Sequence, residues 1–477
     1  MARRDSQGMA MGGWGDVIAV VDIVSREAML FAAIGFLIGG LDDFAIDLVY
    51  LLHRGRRLLT RAGPGETLAD YPVADRPGRL AVFVAAWDES AVIGAMLRTA
   101  LVRFDHPDYR IYVGCYLNDP ATIGAVASVA ESDARIRLVI GSAPGPTTKA
   151  GCLNAIWRAL LRDEAADGVR AKAIVLHDAE DVVHAGELRI FDALIEHHWV
   201  VQLPVLPLVD PAARLISGHY ADEFAEMHGK SLVVRQALGA GLPLAGVGCA
   251  IERACLGRIA AARGGAPFDG VSLTEDYELG LQIAALGGTG IFARIAETPG
   301  GLPVAVRAYF PAQLEAAIRQ KTRWMIGIAL AGWDRIGWSH ARDWRDHWMR
   351  MRDRRAPLAV LVLVAAYLAA TLWLLSAALH GASGVSIPPL IEPLPTLLSV
   401  NASLLLWRLS VRAAFTWRTY GKRQAAWSVP RAFVGNIVAM VAAQRALLRY
   451  VGMLRGAAPR WDKTDHLFPK HLAEHVR

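Results

Sequence analysis

Hydrophobic and polar positions follow several regimes along this chain. Residues 29–52 are almost continuously apolar. At 1.5 Å per residue, about 24 residues reach roughly 36 Å, enough to cross a bilayer with some tilt. Asp42, Asp43 and Asp47 interrupt the run, and a carboxylate at mid-bilayer costs about 2.5–3.5 kcal/mol. These acids are expected to face protein or to sit near the interface. Short apolar runs follow at 80–86, 110–116, 136–140, 174–177, 200–206 and 246–251. Runs of this length, bounded by turn residues, predict buried strands. Between them, Leu153, Ile156, Trp157, Leu160 and Leu161 recur at helical spacing. Strands alternating with helices predict a parallel α/β sheet.

The second half changes character. Over 332–355, Trp333, Trp338, Trp344 and Trp348 alternate with arginines, which predicts an amphipathic helix lying in the headgroup layer; an ordinary surface helix has the same pattern. Residues 358–379 carry no charge and form the clearest membrane span. A weaker one covers 390–407. No Lys or Arg lies between Leu379 and Leu406, whereas Arg408, Arg412, Arg418, Lys422, Arg423 and Arg431 follow. His53, Arg54, Arg56 and Arg57 flank the first span. Positive flanks stay inside, which puts the loop near Gly381 outside and the α/β segment in the cytosol. Residues 432–451 carry Asn436, Gln444, Arg445 and Arg449 and read as an interfacial helix. The expected division is therefore an N-terminal segment (1–28), a span (29–52), a cytosolic α/β domain (53–331), an interfacial helix (332–356), spans at 357–379 and 389–407, and cytosolic interfacial helices with a tail (408–477). A polar Pro/Gly linker follows Pro64.

Composition supports this division. Of the 477 residues 54% are hydrophobic, and mean hydropathy is +0.29. The net charge of +6 gathers beside apolar runs, which favours a membrane surface over nucleic acid. Cys115, Cys152, Cys249 and Cys255 form no CxxC or Cys/His metal pattern and read as reduced core thiols.

The chemistry sits at strand ends. Ile174-Val175-Leu176-His177 runs into Asp178-Ala179-Glu180-Asp181. Acids at the carboxyl end of a parallel strand lie where open α/β sheets bind ligands. Carboxylates suit a hard cation that shares its other ligands with substrate phosphates; a solvated acidic loop has the same composition. Glu89 follows the first strand and Asp119 the second, each equally compatible with a turn or helix cap. Lys149 opens a helix beside Gly151, a setting that accepts anions. A second acidic cluster holds Glu275 and Asp276. A transfer reaction needs a carboxylate not spent on metal, to deprotonate an acceptor hydroxyl; Asp276 is the candidate, with Glu275 placed to hold the acceptor. Gln320, Arg323 and Trp324 precede the Trp/Arg segment. An indole stacks on a sugar face and an arginine braces a diphosphate.

In this order and spacing the motifs resemble the family 2 membrane glycosyltransferases over about 80–338. Tyr116-Leu117-Asn118-Asp119-Pro120, His177-Asp178-Ala179-Glu180-Asp181, Gln320-Lys321-Thr322-Arg323-Trp324 with Gly327, and Arg460-Trp461-Asp462-Lys463-Thr464-Asp465-His466 are similar to the phage-adsorption protein B type of inner-membrane glycosyltransferase. The resemblance implies a GT-A type nucleotide-sugar-binding domain with transmembrane and interfacial helices. It implies that Glu89 and Asp119 contact uridine, that Lys149 and Asp178 line the nucleotide-sugar site, and that Glu180, with Asp178 beside it, holds Mg²⁺ or Mn²⁺. Asp276 would be the base, and Gln320, Arg323 and Trp324 would face acceptor and diphosphate. Glu180 stands where many relatives have Asp, a longer arm that changes metal geometry. Relatives often continue into a cyclic-dinucleotide-binding module, so that regulation is not expected here. The expected activity is inverting transfer from a UDP-sugar, a UDP-N-acetylhexosamine, to a growing glycan at the cytosolic face of the bilayer. Few spans imply an export partner or an oligomer. Single transfer onto a lipid phosphate, and a catalytically silent receptor or scaffold of the same fold, are the alternatives.

Overall fold

The computed structural model describes residues 2–60, 65–145, 147–457 and 466–469, with side chains from Gly15 onward. Arg61, Pro64 and the tail residues Arg460–Asp465 of the sequence motif lie outside the described residues. The chain divides into two compact units. One takes residues up to Val49 together with Arg355–Val411; the other takes Tyr50–Arg354 and the chain from Arg412 onward.

Helix α1 (Ala2–Leu59) leads to β1 (Leu80–Ala85), α2 (Ile93–Arg103), β2 (Tyr109–Tyr116), α3 (Pro120–Ala130), β3 (Ile136–Gly141), α4 (Lys149–Asp167), β4 (Ala173–Asp178) and α5 (Glu187–Leu194). Then come β5 (Val200–Gln202), β6 (Val205–Leu208), α6 (Ile216–Glu226), α7 (Leu232–Ala237), β7 (Cys249–Glu252), α8 (Arg253–Ala262), α9 (Glu275–Ala285), β8 (Gly290–Phe292) and β9 (Val306–Tyr309). The last helices are α10 (Leu314–Met325), α11 (Ala331–Ile336), α12 (Trp344–Arg354), α13 (Ala356–Ser383), α14 (Leu394–Tyr420) and α15 (Lys422–Leu454). The fold is mixed α/β and GT-A-like. Seven strands form the main sheet in the order β3-β2-β1-β4-β7-β5-β8, with β6 and β9 in a small second sheet.

The sheet departs from the all-parallel expectation at one strand: β7 runs antiparallel to both β4 and β5. The run 200–206 is two strands, because the chain leaves the main sheet at Leu203-Pro204 and Val205 starts the second. Proline cannot donate to a ladder, so a break there costs nothing in hydrogen bonds. Alternate strand residues point to opposite faces. Leu80, Val82 and Val84 pack with Ile93, Met96 and Leu97 on one face. Ala81 and Phe83 pack with Leu153, Ile156 and Trp157 of α4 on the other. Each such buried side chain contributes about 1.5–3 kcal/mol. All four cysteines are free and buried.

In the unit that contains most of α1, the aspartates that interrupt its apolar run face partners. Arg355 pairs with Asp42 and Asp43 at 2.5 Å each, Arg408 also pairs with Asp43, and Trp407 Nε1 donates to Asp47 at 2.8 Å. By length and composition, the helices able to cross a membrane among the described residues are α13, α14 and α15. Helix α15 belongs to the larger unit, where Val438 and Ala442 pack with Tyr220, Ala317 and Ile318.

The Trp/Arg segment is not one helix. The chain breaks at Gly337, whose φ is 60°, between α11 and α12. Arg350 and Arg354 turn inward to the Gly337 carbonyl, and the Arg354 guanidinium lies 5.0 Å from the Trp333 ring and 4.7 Å from that of Trp338. Arginines that the pattern assigned to headgroups thus serve an internal turn.

His228 lies on a π-helical turn (Met227–Ser231) that continues α6. Its Nδ1 accepts the Val205 N–H at 3.0 Å, so the ring proton sits on Nε2. Burial, with Arg294 nearby, pushes its pKa down to about 3. The unfolded ring titrates near 6.5, so the folded state binds fewer protons below that value. Stability is full above pH 6.5 and is lost as pH falls toward 3. By pH 5 the loss from this group is about 2 kcal/mol. His228→Asn, which keeps an acceptor at the same branch, is expected to flatten the fall in unfolding temperature between pH 7 and 5. An unchanged slope would remove His228 as its source.

Candidate active site

The register of the sheet assembles the cleft. Ala85 at the end of β1 pairs with Gly114 of β2 and with Asp178 of β4. The loops carrying Glu89, Asp119 and Glu180 therefore leave the sheet side by side. Asp119 caps α3: one carboxylate oxygen accepts the Thr122 N–H at 3.2 Å and the other the Asp88 N–H at 2.5 Å. Asp88 has φ 54°, and Glu89 N–H reaches Thr122 Oγ1 at 2.9 Å. These bonds fix the backbone from which the Glu89 carboxylate projects.

Lys149 reaches Asp178 from the first turn of α4, with 2.5 Å between Nζ and Oδ1. Thr148 caps that helix by accepting the Gly151 N–H, and its hydroxyl donates to Gly270 O. Asn154, one turn on, exchanges two bonds with the Phe268 backbone at 2.8 and 3.0 Å. The helix start is thereby tied to the segment that leads into α9 and its acids. Lys149 lies within electrostatic reach of Asp178, Glu275 and Asp276, which raise its pKa against the effect of burial. Burial pushes the Asp178 carboxyl up, but Lys149 overrides it and, with His466 and Arg323, holds it below the ordinary range. Burial raises Glu275 to about 7 and raises Asp276 as well, with Lys149 opposing.

Two glycines allow close approach here. Gly246 has φ 76°, and a side chain there would collide with the Asp276 carboxylate. Gly327 lies in a π-helical turn (Ile326–Leu330) directly after α10, and a side chain there would strike Thr274. The helix carrying Gln320, Arg323 and Trp324 is thus seated against the residue that precedes Glu275 and Asp276. Thr322 is fully buried and donates to Ile318 O at 2.7 Å. Trp324 is half-buried among Tyr220, Phe224 and Phe310, with Lys321 5.1 Å from its ring. The Gln320 Oε1 is buried without a donor among the described residues.

One contributor has no counterpart in the sequence reading of roles. His466, from the tail, places Nδ1 2.8 Å from Glu89 Oε1 and Nε2 3.3 Å from Glu180 Oε1. Burial pulls its pKa down, but Glu180 and Glu89 carry it up to about 9. Glu89, Glu180 and His466 offer ligand atoms that all lie within 4.8 Å of one another. Glu180 Oε2 is buried with no donor among the described residues, and burial raises its carboxyl to about 8. A desolvated carboxylate oxygen lacking a proton donor, beside a second carboxylate and an imidazole, fits a divalent cation. The structure therefore groups Glu180 with Glu89 and His466, and pairs Asp178 with Lys149. The tail motif was visible in the sequence, but nothing local in it pointed to strand ends so far away.

Beneath this cluster His177 is fully enclosed. Its Nδ1 lies 2.9 Å from Asp181 Oδ2 and its Nε2 2.7 Å from Glu187 Oε1. Asp181 Oδ2 also accepts the Asp178 N–H at 3.0 Å, closing the turn that presents Asp178 and Glu180. Burial lowers the His177 pKa, but the two carboxylates override it and hold it at about 10. The ring is a buried cation.

The model for the "Glycosyltransferase like family 2" family matches residues 77–327, more than half of the chain. Over 471 residues the chain is 36% identical to bacteriophage adsorption protein B of Escherichia coli K12, covering 93% of this chain and 62% of that protein. The same figures hold for bacteriophage N4 adsorption protein B of Escherichia coli O157:H7. The chain therefore spans about 62% of the length of these curated relatives. Among solved structures, a mannosyltransferase from Pyrobaculum calidifontis in complex with GDP-Man and Mn²⁺ has a TM-score of 0.52 at 19% identity, covering 88% of this chain and 99% of that one. That likeness is one of fold.

Removing the buried cation leaves Asp181 and Glu187 enclosed without a counter-charge, each keeping only a backbone N–H donor, a loss of about 3–5 kcal/mol. His177→Gln is expected to lower the unfolding temperature of the detergent-solubilised protein by several degrees and to weaken divalent-cation binding. A wild-type unfolding temperature in that variant would show that the two acids need no counter-charge.

Proposed function

Because the chain belongs to the family 2-like glycosyltransferases and is a transferase, we propose that it moves a sugar from a UDP-sugar, a UDP-N-acetylhexosamine, to a growing glycan with inversion. The observation that carries this reading is the convergence of Lys149, Asp178, Glu275 and Asp276 with the Glu89–Glu180–His466 cluster at the ends of β1 and β4. Glu89, Glu180 and His466 would hold a divalent ion. An imidazole in the set favours Mn²⁺ over Mg²⁺, and the Pyrobaculum calidifontis mannosyltransferase is in complex with Mn²⁺. Bound there, the ion supplies charge neutralisation for the departing diphosphate.

The remaining roles follow from charge and position. Lys149 is the cation nearest the acids and is suited to a phosphate oxygen once donor binds. Asp178 keeps Lys149 charged and oriented. Asp119 positions Glu89 through Asp88 and Thr122, on the side of the cleft assigned to the nucleoside. Asp276 takes the proton from the acceptor hydroxyl. Its carboxylate has Lys149 for a counter-charge, and its burial raises its basicity toward that task. Glu275 and Gln320 line the acceptor side, Arg323 faces the diphosphate, and Trp324 offers a ring edge to the acceptor sugar. The larger unit would work on the cytosolic side of a bacterial inner membrane crossed several times by the chain.

The decisive experiment is a scan of UDP-sugars, with GDP-mannose as comparison, for nucleotide release by the membrane-embedded protein with Mn²⁺ or Mg²⁺. A UDP-N-acetylhexosamine is expected to give the highest rate, and Mn²⁺ to exceed Mg²⁺. Release from GDP-mannose alone would overturn the donor assignment. Labelled product length separates polymer extension from single transfer to a lipid phosphate. Asp276→Asn is expected to slow transfer by about 10²–10⁴-fold while UDP-sugar binding persists; full activity would remove it as the base. His466→Ala is expected to raise the Mn²⁺ concentration needed for half-maximal rate, and an unchanged requirement would take the imidazole out of the ion's shell.

A further inference from the structure

Away from the cleft, the larger unit brings together three arginines from distant parts of the chain. Tyr50 of α1 meets Phe415 of α14, with ring centroids 5.5 Å apart. Phe415 is also packed against Gly229, with no room for a side chain between them. The Gly229 carbonyl accepts from Arg294 Nη1 at 3.3 Å. Arg54 lies one turn beyond Tyr50, and Arg418 about one turn beyond Phe415. All three arginines are exposed, and none pairs with a carboxylate among the described residues. Partial desolvation, together with the charges of Arg54 and Arg418, holds the Arg294 guanidinium below its ordinary range, with only Tyr50 opposing. Like charges gathered without a counter-ion are a standing cost in the free protein, and an anion relieves it.

The setting narrows the anion. Helices α1 and α14 both turn from apolar to basic immediately before these residues. Trp417, beside Arg418, is 55% exposed, and Lys422 lies 5.8 Å from its ring. An exposed indole among cations at the end of an apolar helix marks the headgroup level of a bilayer. Planar guanidinium groups match phosphate oxygens two at a time, and basic pockets between helices on the cytoplasmic side hold lipid headgroups.

We propose that Arg54, Arg294 and Arg418 form a phosphate-binding site for the headgroup of an anionic membrane phospholipid. The site is separate from the sugar-transfer chemistry, and it stands whichever donor that chemistry uses. Its occupation ties α1, the segment after β8 and α14 to one bilayer component.

The test is native mass spectrometry of the full chain in detergent, with phosphatidylglycerol, phosphatidylcholine or inorganic phosphate added. Phosphatidylglycerol is expected to be retained and phosphatidylcholine lost. Arg294→Gln and Arg418→Gln are each expected to reduce that retention about fivefold, whereas Arg56→Gln with Arg57→Gln, which removes one charge more from the neighbouring part of α1, has a smaller effect. The Arg294→Lys/Arg418→Lys protein keeps the charge, loses the fork and should fall between. Equal retention of the two lipids by the unaltered protein, which needs no variant to fold, would overturn the proposal. So would an equal loss in the Arg56/Arg57 control, which reduces the effect to net charge. Displacement of phosphatidylglycerol by millimolar inorganic phosphate would assign the site to the free ion and overturn the lipid.

Discussion

Carboxylates from four loops cannot share one buried cleft unless cations are interleaved among them. Lys149 against Asp178 is the interaction that makes the arrangement tenable, with 2.5 Å between the charged atoms. The ammonium also faces Glu275 and Asp276, so one positive charge serves both the β4 loop and the start of α9. His177 performs the same office one layer down, between Asp181 and Glu187. Without these two cations, desolvation would drive the acids to their neutral forms.

Around that electrostatic centre the supporting bonds are mostly backbone-directed and short-range. Thr148 and Asn154 fasten α4 to the segment before α9. Gly327 lets α10 close on Thr274. Tyr277 and Arg235 both reach Asp353, holding α9 against α12. On the opposite flank Glu278 accepts from Ser272 and Arg335, which fixes α11. The carboxylates of the cleft are thus held from several elements at once, as a site of fixed geometry requires.

Much of this was legible in the residue pattern because its physical signals are local. Apolar runs that end in acids located β1, β2 and β4 within a residue or two, and of the residues at 3.6-residue spacing in α4, Leu153, Ile156, Trp157 and Leu160 are buried whereas Leu161 is exposed. Other features depend on distant partners. The direction of β7 follows from where its connections return, which no run of Cys-Ala-Ile-Glu encodes. The Trp/Arg segment has an amphipathic composition, yet Gly337 breaks it and Arg350 and Arg354 are consumed by that turn. The grouping of Glu89 with Glu180 needed His466, whose partners lie at the far end of the chain. The separation of Asp178 from that group follows from Lys149, whose reach is a matter of side-chain rotamer rather than spacing.

The bond between His466 and Glu89 bridges 377 positions. A ribosome adding about 5–20 residues per second needs roughly 20–75 s to cover that distance. Early in the interval β4 and the helices that precede it are completed, while the third member of the cluster does not yet exist. A nascent chain of this protein therefore carries the Glu89 and Glu180 side of the cluster without its imidazole until the tail has been made.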